Sequence, residues 1–332
     1  MMKRALARLT GAFAAVTLLM PVAAAGPPGH PVRVGILEGI APTFDPDRNP
    51  GHRALVEGLK ELGYAPGRDI VFKYKSAAGD PEVLPRLAEE LVASGVDILV
   101  TPRSRPPLVA AQVTKTVPIV MVGTPDPIDT GLAKSLARPG GNVTGLSSNS
   151  GETSAKRMQL LQEAVPGLSR VAVLWNASVK SIAIGFENIE QASPKLGVTV
   201  QSVRLTSSDE FDKAFAAIEN GHPDGLIVLF GPLRGDDLPR IVDFVVRQRL
   251  PSMFEQGQGV RGGGLMEFGP NLEPMFRRAA VYIDKIANGA DPATLPIEEP
   301  TGFEFAINLK AAKSIGIDIP QSLLLRADRV IE

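Results

Sequence analysis

Val32-Arg-Val-Gly-Ile-Leu37 and Val171-Ala-Val-Leu-Trp175 open two stretches of this chain that then run through the same elements in the same order. Both are short, nearly continuous apolar runs, the pattern of a strand covered on both faces of a sheet. After the first, a helix-like stretch ends at Leu59-Lys-Glu-Leu-Gly63. A polar strand, Asp69-Ile-Val-Phe-Lys-Tyr74, comes next, and a helix led by Asp80-Pro-Glu delivers Asp97-Ile-Leu-Val-Thr101. After the second, a helical stretch ends at Lys195-Leu-Gly197. Val198 to Val203 forms the polar strand, and a helix led by Ser208-Asp-Glu delivers Gly225-Leu-Ile-Val-Leu-Phe230. The next units also correspond: Thr116–Val122 with Arg249–Phe254, and Gly141–Leu146 with Gly263–Phe268.

Strand and helix alternate in each copy, which calls for an α/β fold with mainly parallel sheets and helices on both faces. Asp80 and Ser208 supply helix caps with acidic first turns behind them. Gly63, Gly95 and Gly197 stand just past helix ends, where a left-handed residue closes the last turn. Beyond the second copy, Pro274 to Ala287 carries Phe276, Ala280, Ile283 and Ala287 on one helical stripe. A strand over 301–307 and a helix over 309–315 follow. The expected architecture is two doubly wound parallel-sheet lobes joined by a three-segment hinge, with crossings near residues 147, 271 and 297. Lobe 1 comprises 31–147 plus 271–296, and lobe 2 comprises 148–270 plus 297–332. Three connections would confine the lobes to bending and twisting, the motion that closes a cleft.

Lys3, Arg4 and Arg8, the apolar run Leu9–Val22 and Ala23-Ala-Ala25 have the order of an export signal, so residues 1–25 are expected to be cleaved and the mature chain to reside in the periplasm. Thr10, Gly11 and Pro21 interrupt the run, which is short for a membrane span. Cleavage takes the formal net charge from −1 to about −4, without basic runs, which argues against nucleic acid as a partner. The chain has no cysteine, so it carries neither disulfides nor a lipid anchor on cysteine. A monomer is expected.

Ligands of doubly wound sheets bind beyond the carboxyl ends of the strands. That rule nominates loops holding Glu38, Gly39, Thr101, Arg103, Ser104, Arg105, Thr124 and Asp126 in lobe 1, and Asn176, Ser178, Gly231 and Glu255 in lobe 2. Helix N-termini there suit a carboxylate or phosphate, the serines add hydroxyl donors, and the arginines offer a forked guanidinium. Glu38, Asp126 and Glu255 suit an amine. Trp175, the single tryptophan, is expected to pack in the core. Gly257-Gln-Gly-Val-Arg-Gly262 has the letters of a dinucleotide fingerprint, but a strand-like segment follows and no helix is expected there to meet a pyrophosphate. His30, His52 and His222 lack ligand-like spacing and are expected near the processed end or on surface segments. No nucleophile elbow or zinc-protease motif is present. Binding without catalysis, cofactor or metal is therefore the expectation.

Gly123-Thr-Pro-Asp-Pro-Ile-Asp-Thr-Gly-Leu132 and Ser135–Leu146 closely resemble the ABC-transporter substrate-binding proteins of the tryptophan/tyrosine-binding type. So do Val165–Asn176, Gly264-Leu-Met266, Phe268-Gly-Pro-Asn271, Asn308-Leu-Lys310, and Pro320 with Ser322–Asp328. The resemblance spans residues 31–332. It implies a type I periplasmic-binding-protein fold and a protein that captures a small solute for an inner-membrane ABC permease. A ligand sensor for a membrane receptor, or a periplasmic enzyme in the same cleft, would use the same two lobes. Relatives of this type often have neutral residues where this chain has Pro102-Arg-Ser-Arg105, Glu38 and Glu255-Gln256. Those departures point to a charged or zwitterionic, amino-acid-like ligand.

Overall fold

In the computed structural model, residues 29–148, 150–229, 237–255, 258–300 and 302–332 are described, side chains at 150–152 and 258 aside. The first sheet has five parallel strands in the order β2-β1-β3-β4-β5. They are β1 Val32–Glu38, β2 Ile70–Ser76, β3 Ile98–Pro102, β4 Ile119–Thr124 and β5 Val143–Ser147. Between them run α1 Pro50–Glu61, α2 Leu84–Ala93 and α3 Arg105–Val113. The second sheet has the order β12-β11-β10-β9-β8-β6-β7. Its strands are β6 Arg170–Asn176, β7 Thr199–Leu205, β8 Gly225–Leu229, β9 Ser252–Phe254, β10 Met266–Pro270, β11 Phe303–Asn308 and β12 Arg329–Ile331. Its helices are α4 Ser150–Ala164, α5 Lys180–Leu196, α6 Phe211–Gly221, α7 Asp237–Arg247 and the single turn α8 Gln258–Arg261. Every pairing is parallel except β10 with β11.

The alternation of the sequence explains these elements. The central strands β3, β4 and β8 are buried along their whole length, whereas the edge strands β2 and β7 are partly exposed, as their polar residues require. Gly63, Gly95 and Gly197 have φ of +90°, +73° and +67°, closing the helices before β2, β3 and β7. Contrary to the expectation for 257–264, β9 is followed by one turn of helix, α8. A turn of four residues that leads straight into β10 still lacks the long helix of a dinucleotide site.

The chain leaves the first sheet after β5 and returns with α9 Leu272–Ala287, whose Phe276, Ala279, Ala280 and Ile283 enter the core with Ala54, Leu55 and Leu59 of α1. A Cβ on Gly51 would lie 2.6 Å from the Phe276 ring, and one on Gly58 would lie 2.8 Å from the Arg277 carbonyl, so the absence of side chains there sets how closely α1 and α9 approach. The chain stays on the first sheet through Glu298, whose N–H donates to the Gly145 carbonyl and whose own carbonyl accepts from Ser147. It then enters β11. The helices α10 Leu309–Ile315 and α11 Gln321–Leu324 and strand β12 complete the second lobe. Among the described residues no helix is long and apolar enough to cross a membrane. The export-signal residues 1–25 lie outside the described residues.

Candidate functional site

Strand carboxyl ends of both sheets present polar groups that are removed from water. Thr101 on β3 is fully buried, and its Oγ1 has no hydrogen-bond partner. Asp126, just past β4, has a buried Oδ2 that is likewise unpaired. From the second lobe come the unpaired Nδ2 of Asn176 at the end of β6 and Oγ of Ser181 in the first turn of α5. A buried polar atom without a partner costs roughly 1–3 kcal/mol. A concentration of them at the switch points of two sheets is the arrangement a ligand would relieve.

The first lobe builds its part of the site from local backbone. Glu38 is 4% exposed, and its Oε1 accepts from the N–H groups of Gly39 (2.9 Å) and Ile40 (3.2 Å). Burial pushes its carboxyl above the usual range, and the positive charge of Arg103 opposes that shift. Arg103 has φ +69°, a left-handed conformation uncommon outside glycine. Strand β4 holds it there from both sides. Arg103 N–H donates to the Val122 carbonyl at 2.8 Å, and its own carbonyl accepts from Thr124 Oγ1 at 2.9 Å. Asp126 is also left-handed, with φ +43°, as is Ala78 after β2, with φ +47°. Burial first, then the negative charges of Asp129 and Glu255, raise its carboxyl to about 6. Arg103 and Asp126 thus place two left-handed residues on adjacent strand ends, within the nominated loops.

The second lobe works through long side chains. Arg157 is 0% exposed. Its Nε donates to the Phe268 carbonyl at 2.7 Å, its Nη1 donates to Ser154 Oγ at 3.2 Å, and its Nη2 lies 3.3 Å from Glu255 Oε1. Burial lowers its basicity while Glu255 raises it. Sequence reasoning missed Arg157, although a signal existed. It sits on the same helical stripe as the buried Leu161 and Ala164, and a cation on an apolar stripe asks for a partner.

Of the nominated residues, Glu38, Arg103 and Glu255 line one cavity, and Thr101, Asp126 and Asn176 supply unpaired buried atoms at or just past strand carboxyl ends. Ser104 is 8% exposed and precedes α3 without a side-chain capping bond. Gly39 donates to Glu38, and the buried Thr124 hydroxyl is committed to Arg103. Two residues are turned to other tasks. Arg105 pairs with Glu82 of its own lobe at 3.5 Å. Ser178 is exposed, and its hydroxyl and N–H both donate to Asn176 Oδ1. Gly231 lies outside the described residues. Trp175 stacks on Phe186 with ring centroids 4.6 Å apart and donates to Ser202, a packing role. His52 corrects an expectation: it is fully buried, not on a surface segment, because Phe44, Tyr74 and Phe276 enclose its ring. No group of three or more metal-ligating side chains occurs among the described residues. At the cleft rim, Lys180 of α5 donates to the Asp129 carbonyl across the two lobes.

This geometry has counterparts. Residues 45–331 match the family described as ABC transporter substrate binding protein. The chain is 23% identical over 270 residues, 81% of its length and 77% of the relative's, to a tyrosine-binding protein of Clostridioides difficile (strain R20291). Among solved structures it superposes with a TM-score of 0.82 on the ABC domain in complex with L-Trp from Streptococcus pneumonia. That pair is 25% identical, with 90% of this chain and 99% of the other covered. A conserved domain protein from Vibrio cholerae gives 0.81 at the same identity and coverage.

Proposed function

The chain belongs to the ABC transporter substrate-binding proteins, and from that premise we propose that it captures a small amino-acid-like solute between its lobes and delivers it from the periplasm to an ABC permease. The observation that carries this reading is the presence of unpaired buried atoms at the strand carboxyl ends of both lobes. Asp126 is suited to an ammonium group, while Asn176 Nδ2 is a donor suited to a carboxylate. Thr101 and Ser181 add hydroxyls on either side.

The proposed mechanism is closure. The solute settles on the preformed loops of lobe 1, the three crossings bend, and lobe 2 completes its shell. Closure is favoured only by contacts the ligand makes better in the closed form. The rim contact from Lys180 to Asp129 then spans the cleft. Nothing in this scheme transforms the solute.

Calorimetric titration of ligand-free protein with amino acids, organic acids and neutral sugars tests the reading. Amino acids are expected to bind with one-to-one stoichiometry and to be recovered unchanged. Binding of neutral sugars alone would refute the ligand class, and turnover of a bound compound would refute the receptor role.

A further inference from the structure

A chamber of about 380 Å3 opens beside the strand-end cluster, between the end of β1, the start of α1 and the passage from β10 into α9. It shares Glu38, Arg103 and Glu255 with the nominated site, so the chamber and the cluster have a common wall. Five glutamates line it against three arginines. Glu267 is the most telling of them. It follows the core residue Met266 on β10, so the strand's alternation directs it to the opposite face, and it is 3% exposed. Its Oε1 accepts from Arg329 at 2.7 Å, while its Oε2 is buried with no partner. Arg329 cannot neutralise it fully, because the same guanidinium also serves Glu304 at 3.1 Å. Arg329 Nε is likewise unpaired, a single donor beside the unpaired acceptor. With Glu255 paired to Arg157, the other four glutamates still outnumber the three lining arginines, and that excess decides the sign of the missing partner. Burial raises both Glu38 and Glu267, and the arginines beside them oppose that shift without cancelling it.

We infer that this chamber receives the distal end of the ligand, and that this end is a cationic hydrogen-bond donor, an amine or guanidinium, as in a basic amino acid. The inference rests on the amino-acid reading above and adds the side-chain class. An aliphatic side chain would cover Glu267 without supplying a donor, and an indole N–H would supply a donor without the positive charge. Among the described residues the only aromatic wall is Phe276, which is 6% exposed and already packs against His52.

The test is calorimetry on the ligand-free full chain with L-arginine, L-lysine, L-glutamate, L-leucine and L-tryptophan, for the wild type and Glu267→Gln. L-arginine or L-lysine is expected to bind at least about tenfold more tightly than the other three. Glu267→Gln should remove most of that margin and leave the neutral amino acids within about twofold of wild type. Should Glu267→Gln fail to fold, Glu273→Gln at the exposed mouth of the chamber should reduce the margin about twofold. Tighter binding of leucine, tryptophan or glutamate, or a margin unmoved by the substitution, overturns the cationic chamber while leaving the amino-acid reading intact. Failure of all five to bind overturns both.

Discussion

The two lobes repeat one order of elements but hold their buried charges in different ways. Lobe 1 holds Glu38 through N–H groups of its own loop and fixes the Arg103 main chain between the Val122 carbonyl and the Thr124 hydroxyl of the neighbouring strand. Lobe 2 secures Glu255 and Glu267 with arginines from distant elements: Arg157 reaches the Phe268 carbonyl 111 residues away, and Arg329 reaches Glu267 from the last strand. A backbone-held loop keeps its shape whether or not the other lobe is near. A side-chain network depends on every member staying paired. The comparison makes lobe 1 the rigid platform and lobe 2 the half whose site is sensitive to the loss of a single side chain.

The largest expected effect breaks that contrast directly. Arg157→Leu leaves Glu255 without its cation and should cost about 3–5 kcal/mol in chemical denaturation. Removing the Thr124 hydroxyl by Thr124→Val in lobe 1 should cost about 1 kcal/mol. Equal losses would erase the distinction. The double change Arg157→Leu with Glu255→Leu should recover part of the first loss.

Next is acid sensitivity, which belongs to lobe 1. Burial holds His52 down to about 4, against an ordinary 6.5. Below pH 6.5 the unfolded chain therefore takes up a proton that the folded chain refuses. Stability is intact above that pH and falls toward pH 4, by roughly 3 kcal/mol in all. Asp126 is raised rather than lowered and acts in the opposite sense over the same range, so the effect is read as the difference between wild type and His52→Gln. Identical pH profiles of stability for the two proteins would remove His52 from the account.

A smaller effect concerns binding alone. An ammonium ligand pairs with ionised Asp126, so affinity should weaken as pH falls through about 6. Asp126→Asn should weaken binding about tenfold at pH 7.5 and flatten that pH dependence, with little change in unfolding temperature. The smallest effect lies at the rim. Lys180→Ala removes one exposed contact between lobes and should weaken binding about twofold without altering stability.

The same contrast explains what the sequence made legible. Strand order, helix ends and the loops bearing Glu38, Asp126 and Asn176 follow from short patterns: apolar runs, capping residues and strand termini. Lobe 1's contribution is local, so local reading reaches it. Arg157 and Glu267 sit inside a helix and a strand, and their partners are set by tertiary packing, which no nearby residue announces. His52 was misplaced for a related reason: the aromatic enclosure that buries it comes from β2 and α9 as well as its own region.

Helix α9 has a further consequence for how the protein comes into being. Lobe 1 is begun first, yet its core lacks Met275, Phe276, Ala279 and Ile283 until the chain has been made past residue 287, and lobe 2 waits for its final strand. Lobe 1 therefore cannot finish condensing until most of lobe 2 has been synthesised. A lobe wired in this order stays loose through much of synthesis, which is the state a polypeptide needs if it must be threaded through a narrow passage before it folds.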